Sequence, residues 1–293
     1  MKRCIECQST HDSADWRCPE CGFAPALIDG NLAFSPEFSS ATSGFRPEVF
    51  SQLASLEASN FWFRARSSLL VWAIKRHFQQ MRSFFEIGCG TGVVLSSVSC
   101  AFPGARMAGS EILSAGLPYA AERVSKADLF QMDARRIPYE QEFDVIGAFD
   151  VLEHIQEDGT VLGEIHRAVA PGGGAIFTVP QHSWLWSSTD EYACHVRRYG
   201  VGELRQKLER AGFRVVFETS FVSLLLPLLY ASRFSRKSAP AEDGMPELNL
   251  PPLLNRALLG AMAVERGMIK AGVRFPIGGS GLVVAKKIEI ESE

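Results

Sequence analysis

From residue 82 onward the apolar positions fall into two alternating patterns. Short, nearly unbroken runs occur at Ser83–Ile87, Arg106–Glu111, Leu129–Met132, Phe143–Ala148 and Gly174–Val179. Their length suits strands buried on both faces. Between them, Val93–Ala101, Leu113–Arg123, Asp158–Val169 and Val201–Ala211 repeat their apolar residues every third or fourth position, as helices do. Strand and helix in strict alternation predict a parallel, doubly wound sheet with helices on both faces. Upstream, Glu48–Met81 carries a helical pattern through Leu53, Leu56, Phe61, Trp62, Phe63, Leu69, Leu70, Trp72, Ile74 and Phe78. Downstream, an apolar helix near Phe221–Phe234, a Ser/Pro/Gly-rich stretch from Ser235 to Pro252 and a second helix near Leu253–Ala271 form an insertion. Such a stretch inside a domain reads as a lid or binding loop, or as helical padding on a sheet edge. The apolar helix could also rest on a membrane surface, flanked by Arg233, Arg236 and Lys237.

The first strand ends in Phe84-Phe85-Glu86-Ile87-Gly88-Cys89-Gly90-Thr91-Gly92, an acid followed by three alternating glycines. Glycines without a Cβ let the backbone turn tightly and lie against a ligand. A dinucleotide loop reads G-x-G-x-x-G; here the third glycine comes one residue early, and the acid would repel a pyrophosphate but suit a cation. Ligands of open parallel sheets bind outside the carboxyl ends of the strands. Glu111 ends the second strand, where a carboxylate can accept both hydroxyls of a ribose. Asp133 follows the third, and Phe149 and Asp150 lie at the mouth of the fourth.

These residues resemble the class I S-adenosylmethionine (SAM) dependent methyltransferases, whose first motif has the form E/D-x-G-x-G-x-G. The resemblance covers roughly residues 45 to 290. It implies a seven-stranded sheet, with Pro171-Gly172-Gly173-Gly174 ahead of the fifth strand, Gly212–Glu218 as the sixth and Gly281–Lys287 as the seventh. It implies SAM binding by Glu86, Gly88, Cys89, Gly90, Gly92, Glu111, Ile112, Asp133, Ala134, Phe149 and Leu152, with Asp133 accepting from the adenine amino group. A helix preceding the first strand lies over the cofactor in such enzymes, which makes Trp62 and Arg66 candidates for the substrate pocket. The alternative for this aromatic segment is helix-packing core.

SAM carries its methyl group on a sulfonium, so the protein chiefly aligns a nucleophile, and a hydroxyl nucleophile gains from a general base. Asp150-Val151-Leu152-Glu153-His154 is similar to the E-x-x-E-H segment of quinone-biosynthesis O-methyltransferases, whose two acids and histidine are associated with a divalent metal. Asp150 is shorter than the glutamate of that pattern. A helix-start pair that shapes the pocket is the alternative for Glu153 and His154. After the fifth strand, Val179–Tyr199 gathers His182, Trp184, Trp186, Asp190, Glu191, His195, Arg197, Arg198 and Tyr199. It resembles a P-x-H…L-W-S…D…H-x-R-R-Y run of methyltransferases of glycan, lipid and secondary metabolism, which covers the active site and meets the acceptor. His154 and His195 are thus the catalytic candidates, with His182 beside them. Trp62, Arg66, Asp150, Glu153, His182, Trp186, Asp190, Arg197, Arg198 and Tyr199 are the substrate candidates, the arginines as clamps for a carboxylate or phosphate. Internal ion pairs among Asp190, Glu191, Arg197 and Arg198 are the competing reading. The expected activity is methyl transfer to a small or carrier-linked metabolite, chiefly at oxygen. The alternatives are a ribosomal RNA methyltransferase and a non-catalytic SAM-binding protein.

Cys4, Cys7, Cys18 and Cys21 form C-x2-C, ten residues, C-x2-C, a spacing that places four thiolates around one structural Zn²⁺. The expected layout is a zinc ribbon over 1–34, a linker over 35–47 and a methyltransferase domain over 48–293 with its insertion at about 221–275. From Met1 to Ser40, Lys2, Arg3 and Arg17 face Glu6, Asp12, Asp15, Glu20, Asp29 and Glu37, an acidic excess that disfavours RNA. The net charge of −3 over 293 residues points the same way. A composition 46% hydrophobic and 22% charged is that of a globular protein. With no apolar run at the N-terminus and none long enough to span a bilayer, the expectation is a cytoplasmic protein.

Overall fold

Phe84 and Phe85 are neighbours on the central strand β5 (Ser83–Ile87), both fully buried, and they belong to different cores. Successive strand residues face opposite sides of a sheet, so an apolar pair needs cover on both. The computed structural model, which describes residues 1–40, 49–235 and 250–288, supplies that cover. On one face Phe85 packs with Ile146, Phe177 and Val283 beneath α5 (Asp158–Ala168) and α7 (Glu203–Arg210). On the other, Phe84 packs with Val145, Ile176 and Val284 against α2 (Phe61–His77), α3 (Val93–Ala101) and α9 (Pro252–Lys270).

The sheet has nine strands. Outward from β5 on one side lie β6 (Arg106–Glu111), β7 (Asp128–Gln131), β4 (Asn31–Ala33) and β3 (Ala26–Ile28). On the other lie β8 (Phe143–Phe149), β9 (Val169–Pro180), β11 (Ser280–Lys287) and β10 (Phe213–Phe221). The run from β4 to β9 is parallel, β11 is antiparallel to both neighbours, and β3 is antiparallel to β4. The seven-stranded expectation is corrected by two strands, both from the N-terminal segment. Leu32 and Ala33 pair with Phe130 and Gln131, so the sheet edge that β7 would otherwise expose is covered. The turn between β3 and β4 is Asp29-Gly30, both at positive φ (50° and 80°), the conformation of a tight hairpin.

The cysteine-bearing segment, with β1 (Lys2–Arg3) and β2 (Thr10–His11), docks on the same side. The amide of Arg3 donates to the Pro138 carbonyl at 3.0 Å, Arg136 reaches the Ile5 carbonyl and Glu6, and Trp16 meets Phe34 and Tyr139 edge-on. Lys2 donates to the carbonyls of Ser13, Ala14 and Asp15, and Arg3 lies against Glu140 and Glu164. The basic residues of this segment are therefore turned to the protein itself.

The helical pattern over 48–81 divides into α1 (Val49–Leu56) and α2, because the Asn60 side chain accepts from the Trp62 amide and starts a new helix. Between β8 and β9, the glycine-rich Pro171–Gly174 lies inside the strand: Phe143 pairs with Val169 and Val145 already with Gly174. The apolar run expected to be helical from Phe221 is strand to that residue, and α8 (Leu226–Ser235) begins later. Glu265 of α9, almost fully buried, explains the turn: its carboxylate accepts from the amides of Val222, Ser223 and Leu224, each at 2.7 Å. Asn255 joins α9 to α2, accepting from the Phe61 amide and donating to the Ser59 carbonyl. The linker over 41–47, Arg236, Lys237 and the stretch 238–249 lie outside the described residues. Among the described residues no helix is long and apolar enough to cross a membrane.

Candidate functional site

The glycine loop leaves β5 beside the ends of β6 and β8. Glu86 is almost fully buried, and its Oε2 has no hydrogen-bond partner among the described groups. Burial holds this carboxyl well above the usual carboxylate range. A buried acid with one unpartnered oxygen, beside a loop with no side chain at Gly90, is a fit for a cationic ligand. Glu111 accepts from the amides of Gly90 (2.9 Å), Ile112 (2.8 Å) and Leu113 (3.3 Å), so the residue expected on a ribose also holds the loop's shape. Asp133 is turned to Arg135, which reaches it through Nε (2.9 Å) and Nη2 (2.8 Å). Cys89 packs its thiol beside Leu117 and Ala120, and Leu152, Ala134 and Phe149 also lie in the cores, so these four line the region from within.

A network that the sequence did not reveal closes over this loop. Glu57, just after α1, accepts from the Thr91 hydroxyl and from Arg123 at the end of α4 (Leu117–Arg123), each at 2.5 Å. Arg123 also reaches the Thr91 hydroxyl at 2.8 Å and the Ala54 carbonyl at 3.2 Å. Phe50 of α1 lies over the loop, its ring 3.8 Å from where a Cβ on Gly90 would stand. On the far side, Ser35 exchanges hydrogen bonds with the Gln131 amide, and the Ser114 amide donates to Ser39. The N-terminal segment thus walls the same end of the sheet.

At the mouth of β8, Asp150 stands at φ 57° and accepts from Arg66 of α2 and from Thr178 of β9 (3.2 Å). The Arg66 guanidinium lies 5.9 Å from the ring centres of Trp62 and Phe63, and Trp62 stacks on Phe221. Next to this pair Glu153 is fully buried with both carboxylate oxygens unpartnered, and burial, then the charge of Asp150, pushes its carboxyl far up. The imidazoles of His154 and His195 meet edge-on, 4.7 Å apart. Burial and the neighbouring His195 pull His154 down to about 4. His195 Nδ1 lies 2.9 Å from Asp190, and its Nε2 lies 3.9 Å from Glu153.

Asp190, in α6 (Ser188–Tyr192), has no solvent exposure. It accepts from Ser187 and from Nε and Nη2 of Arg198 as well as facing His195. Its expected part as a substrate contact is corrected to that of an internal hub. The two arginines expected as clamps have internal partners, in keeping with the competing expectation of ion pairs: Arg198 serves Asp190 and the Gln181 carbonyl, and Arg197 serves Asp158 and Gln156. Tyr199 is wholly buried and donates to Asp158 at 2.8 Å. His182 stacks on Trp184 with Nε2 unpartnered, Trp184 meets Tyr230 of α8, and Trp186 is exposed. Asp158, Glu57 and Arg123 are missed by the sequence reading because lone charged residues carry no spacing signal. The structure thus brings together Arg66, Asp150, Glu153, His154, His195, Asp190 and Arg198, and turns Arg197 and Tyr199 to Asp158.

The four cysteines converge within the N-terminal segment. Their sulfurs lie within 4.8 Å of one another, and the Cys4–Cys21 and Cys7–Cys18 pairs are each 3.6 Å apart. A tetrahedral set of Zn–S bonds of about 2.3 Å spans such distances.

Comparison with known proteins adds a family to this geometry. The sequence profile of a family described as "Methyltransferase domain" matches residues 57–218. A Mycolicibacterium smegmatis protein named as a "probable S-adenosylmethionine-dependent methyltransferase" is 26% identical over 163 residues, 55% of this chain and 62% of its own length. A ubiquinone biosynthesis O-methyltransferase of Pseudomonas aeruginosa is 31% identical over 110 residues, 35% of this chain and 46% of its own. The chain therefore spans about half the length of the curated relatives it matches. Among solved structures, the [4+2]-cyclase SpnF has a TM-score of 0.52 at 20% identity, covering 77% of this chain and 83% of its own, a likeness of fold.

Proposed function

The chain belongs to the methyltransferase-domain family and is a SAM-dependent methyltransferase, and on that premise we propose that it methylates a hydroxyl of a small or carrier-linked metabolite. The observation that carries this reading is the Glu153–His154–His195 cluster, with Glu153 buried and the two imidazoles half-buried. Asp190 faces Nδ1 of His195 and leaves Nε2 toward Glu153, 3.9 Å away. An imidazole oriented by a carboxylate suits removal of a hydroxyl proton as the oxygen attacks. Glu86, Gly88, Gly90, Gly92 and Glu111 would hold SAM, whose sulfonium supplies an electrophilic methyl group. The match to ubiquinone biosynthesis O-methyltransferases supports oxygen as the acceptor atom. Arg66 and Trp62 would flank the acceptor, and the four cysteines would hold a structural Zn²⁺. The engagement of Lys2 and Arg3 within the protein weighs against an RNA substrate.

Two variants test the assignment. Gly90→Val should abolish SAM binding by calorimetry while zinc content is unchanged; undiminished SAM affinity would refute the cofactor site. His195→Gln should retain SAM binding but lose methylation of hydroxylated acceptors, scored by mass spectrometry across a panel of phenols, alcohols and amines. Methylation of amines alone would refute oxygen as the acceptor atom.

A further inference from the structure

The resemblance to quinone O-methyltransferases implies a divalent cation held at the positions of Asp150, Glu153 and His154. The side chains do not assemble that way. Asp150 is committed to Arg66 and Thr178, and a guanidinium at its carboxylate is a poor neighbour for a cation. His195 stands in its stead: one ligand atom from each of Glu153, His154 and His195 lies within 4.8 Å of the others.

Three features make this a built site. Both oxygens of Glu153 are buried and unpartnered, a costly arrangement for a carboxyl unless something fills it. His195 has Nδ1 held by Asp190 at 2.9 Å, the carboxylate–histidine arrangement that orients a metal-binding imidazole. Asp190 is itself fixed by Arg198 and Ser187, so the ring is set before any ligand arrives. We propose that Glu153, His154 and His195 form a divalent-cation site in which a second imidazole has replaced the leading acid, and which therefore favours Zn²⁺ or Co²⁺ over Mg²⁺. Imidazole nitrogens suit the former, whereas Mg²⁺ demands oxygen ligands. A cation there would supply Lewis acidity to an acceptor oxygen. Nε2 of His195 would then hold the cation, so a Lewis-acid role replaces the general-base role given to this ring above; the inference rests on the acceptor-side placement of the cluster and is tested apart from turnover.

The experiment is a Co²⁺ titration of the full chain without SAM or acceptor. The four-cysteine site is first filled with one equivalent of Zn²⁺, because a Co²⁺–tetrathiolate site absorbs in the visible as well as the near ultraviolet; visible d–d bands that then appear without thiolate charge transfer report Co²⁺ on two nitrogens and a carboxylate. The wild type should take up one equivalent in the visible-only signal, and an excess of Mg²⁺ should not displace it. Asp190→Asn should weaken it by about 10- to 100-fold, and His195→Ala at least as much. Asp150→Asn should cost less than His195→Ala, because Asp150 reaches this set only through its charge on Glu153. His195→Gln, which can keep a hydrogen bond to Asp190, serves if the alanine variant fails to fold. No visible-only uptake by the wild type, ready displacement by Mg²⁺, or equal loss in Asp150→Asn and His195→Ala would each overturn the proposal. Because the readout needs no SAM, its failure leaves methyl transfer standing.

Discussion

Gly90 and Gly92 occupy the same loop, yet alanine at the two positions should have different effects. Both have left-handed backbones, with φ of 52° and 78°, so a Cβ at either costs about 1–2 kcal/mol. At Gly90 the nearest atom to that Cβ is a Phe50 ring carbon at 3.8 Å, ordinary contact. At Gly92 it would stand 2.8 Å from the Ala120 Cα and 2.9 Å from its Cβ, inside α4. Helix backbone cannot rotate away, and overpacking of this kind adds about 1–3 kcal/mol. Gly92→Ala should therefore lose about 2–5 kcal/mol of stability and Gly90→Ala about 1–2 kcal/mol. Urea unfolding followed by tryptophan fluorescence gives the two values by linear extrapolation. Calorimetry should show that Gly90→Ala, though the milder change for stability, weakens SAM binding, because its Cβ enters the cofactor's approach. Equal destabilisation by the two variants would refute the packing argument, and full SAM affinity in Gly90→Ala would refute the placement of the ligand.

Glu86 is held protonated by burial to higher pH than an ordinary glutamate, while a cationic ligand needs it ionised, so SAM affinity should rise with pH. Glu86→Gln should flatten that slope in calorimetry, and a slope surviving in the variant would rule this origin out. Burial alone would raise Asp158, but hydrogen bonds from Lys207 and Tyr199, with the charge of Arg197, outweigh it and hold the carboxyl below its usual range. The stabilisation is then complete above the unfolded value of about 3.9 and is lost as pH falls through the lowered folded value. Urea midpoints should fall more steeply in that acid window for the wild type than for Asp158→Asn; parallel curves would contradict the ion-pair account. Chelation of the Zn²⁺ proposed for the four cysteines should raise amide exchange in β4 and β7 more than in β5, because the cysteine segment carries β4. Unchanged exchange after full zinc release would show that the edge holds without the metal.

The parallel core was legible because Phe84-Phe85, Val145-Ile146 and Ile176-Phe177 are apolar on consecutive positions, which only a strand buried on both faces requires. The N-terminal pair of strands was not, being three residues each with an exposed Leu27. Asp29-Gly30 between Leu27-Ile28 and Asn31-Leu32 was nonetheless a hairpin signal in plain sight. At the site, residues carried by strand ends were easy to place, since topology fixes where strand ends go. The acceptor segment was harder. Its charged residues are equally suited to a ligand or to one another, and only packing decides that Arg197 and Arg198 meet Asp158 and Asp190.

The pairing of Leu32 and Ala33 with Phe130 and Gln131 also sets an order of events during synthesis. The cysteine segment leaves the ribosome before β7, its sheet partner, which follows about a hundred residues later. At about 5–20 residues per second this is a wait of about 5–20 s. Throughout it, β4 has only β3 to pair with, and the edge that β7 later covers exposes unpaired amides. A segment folded on its own metal could hold that strand in readiness through the delay, so the cysteines would protect the nascent chain before they support the finished enzyme.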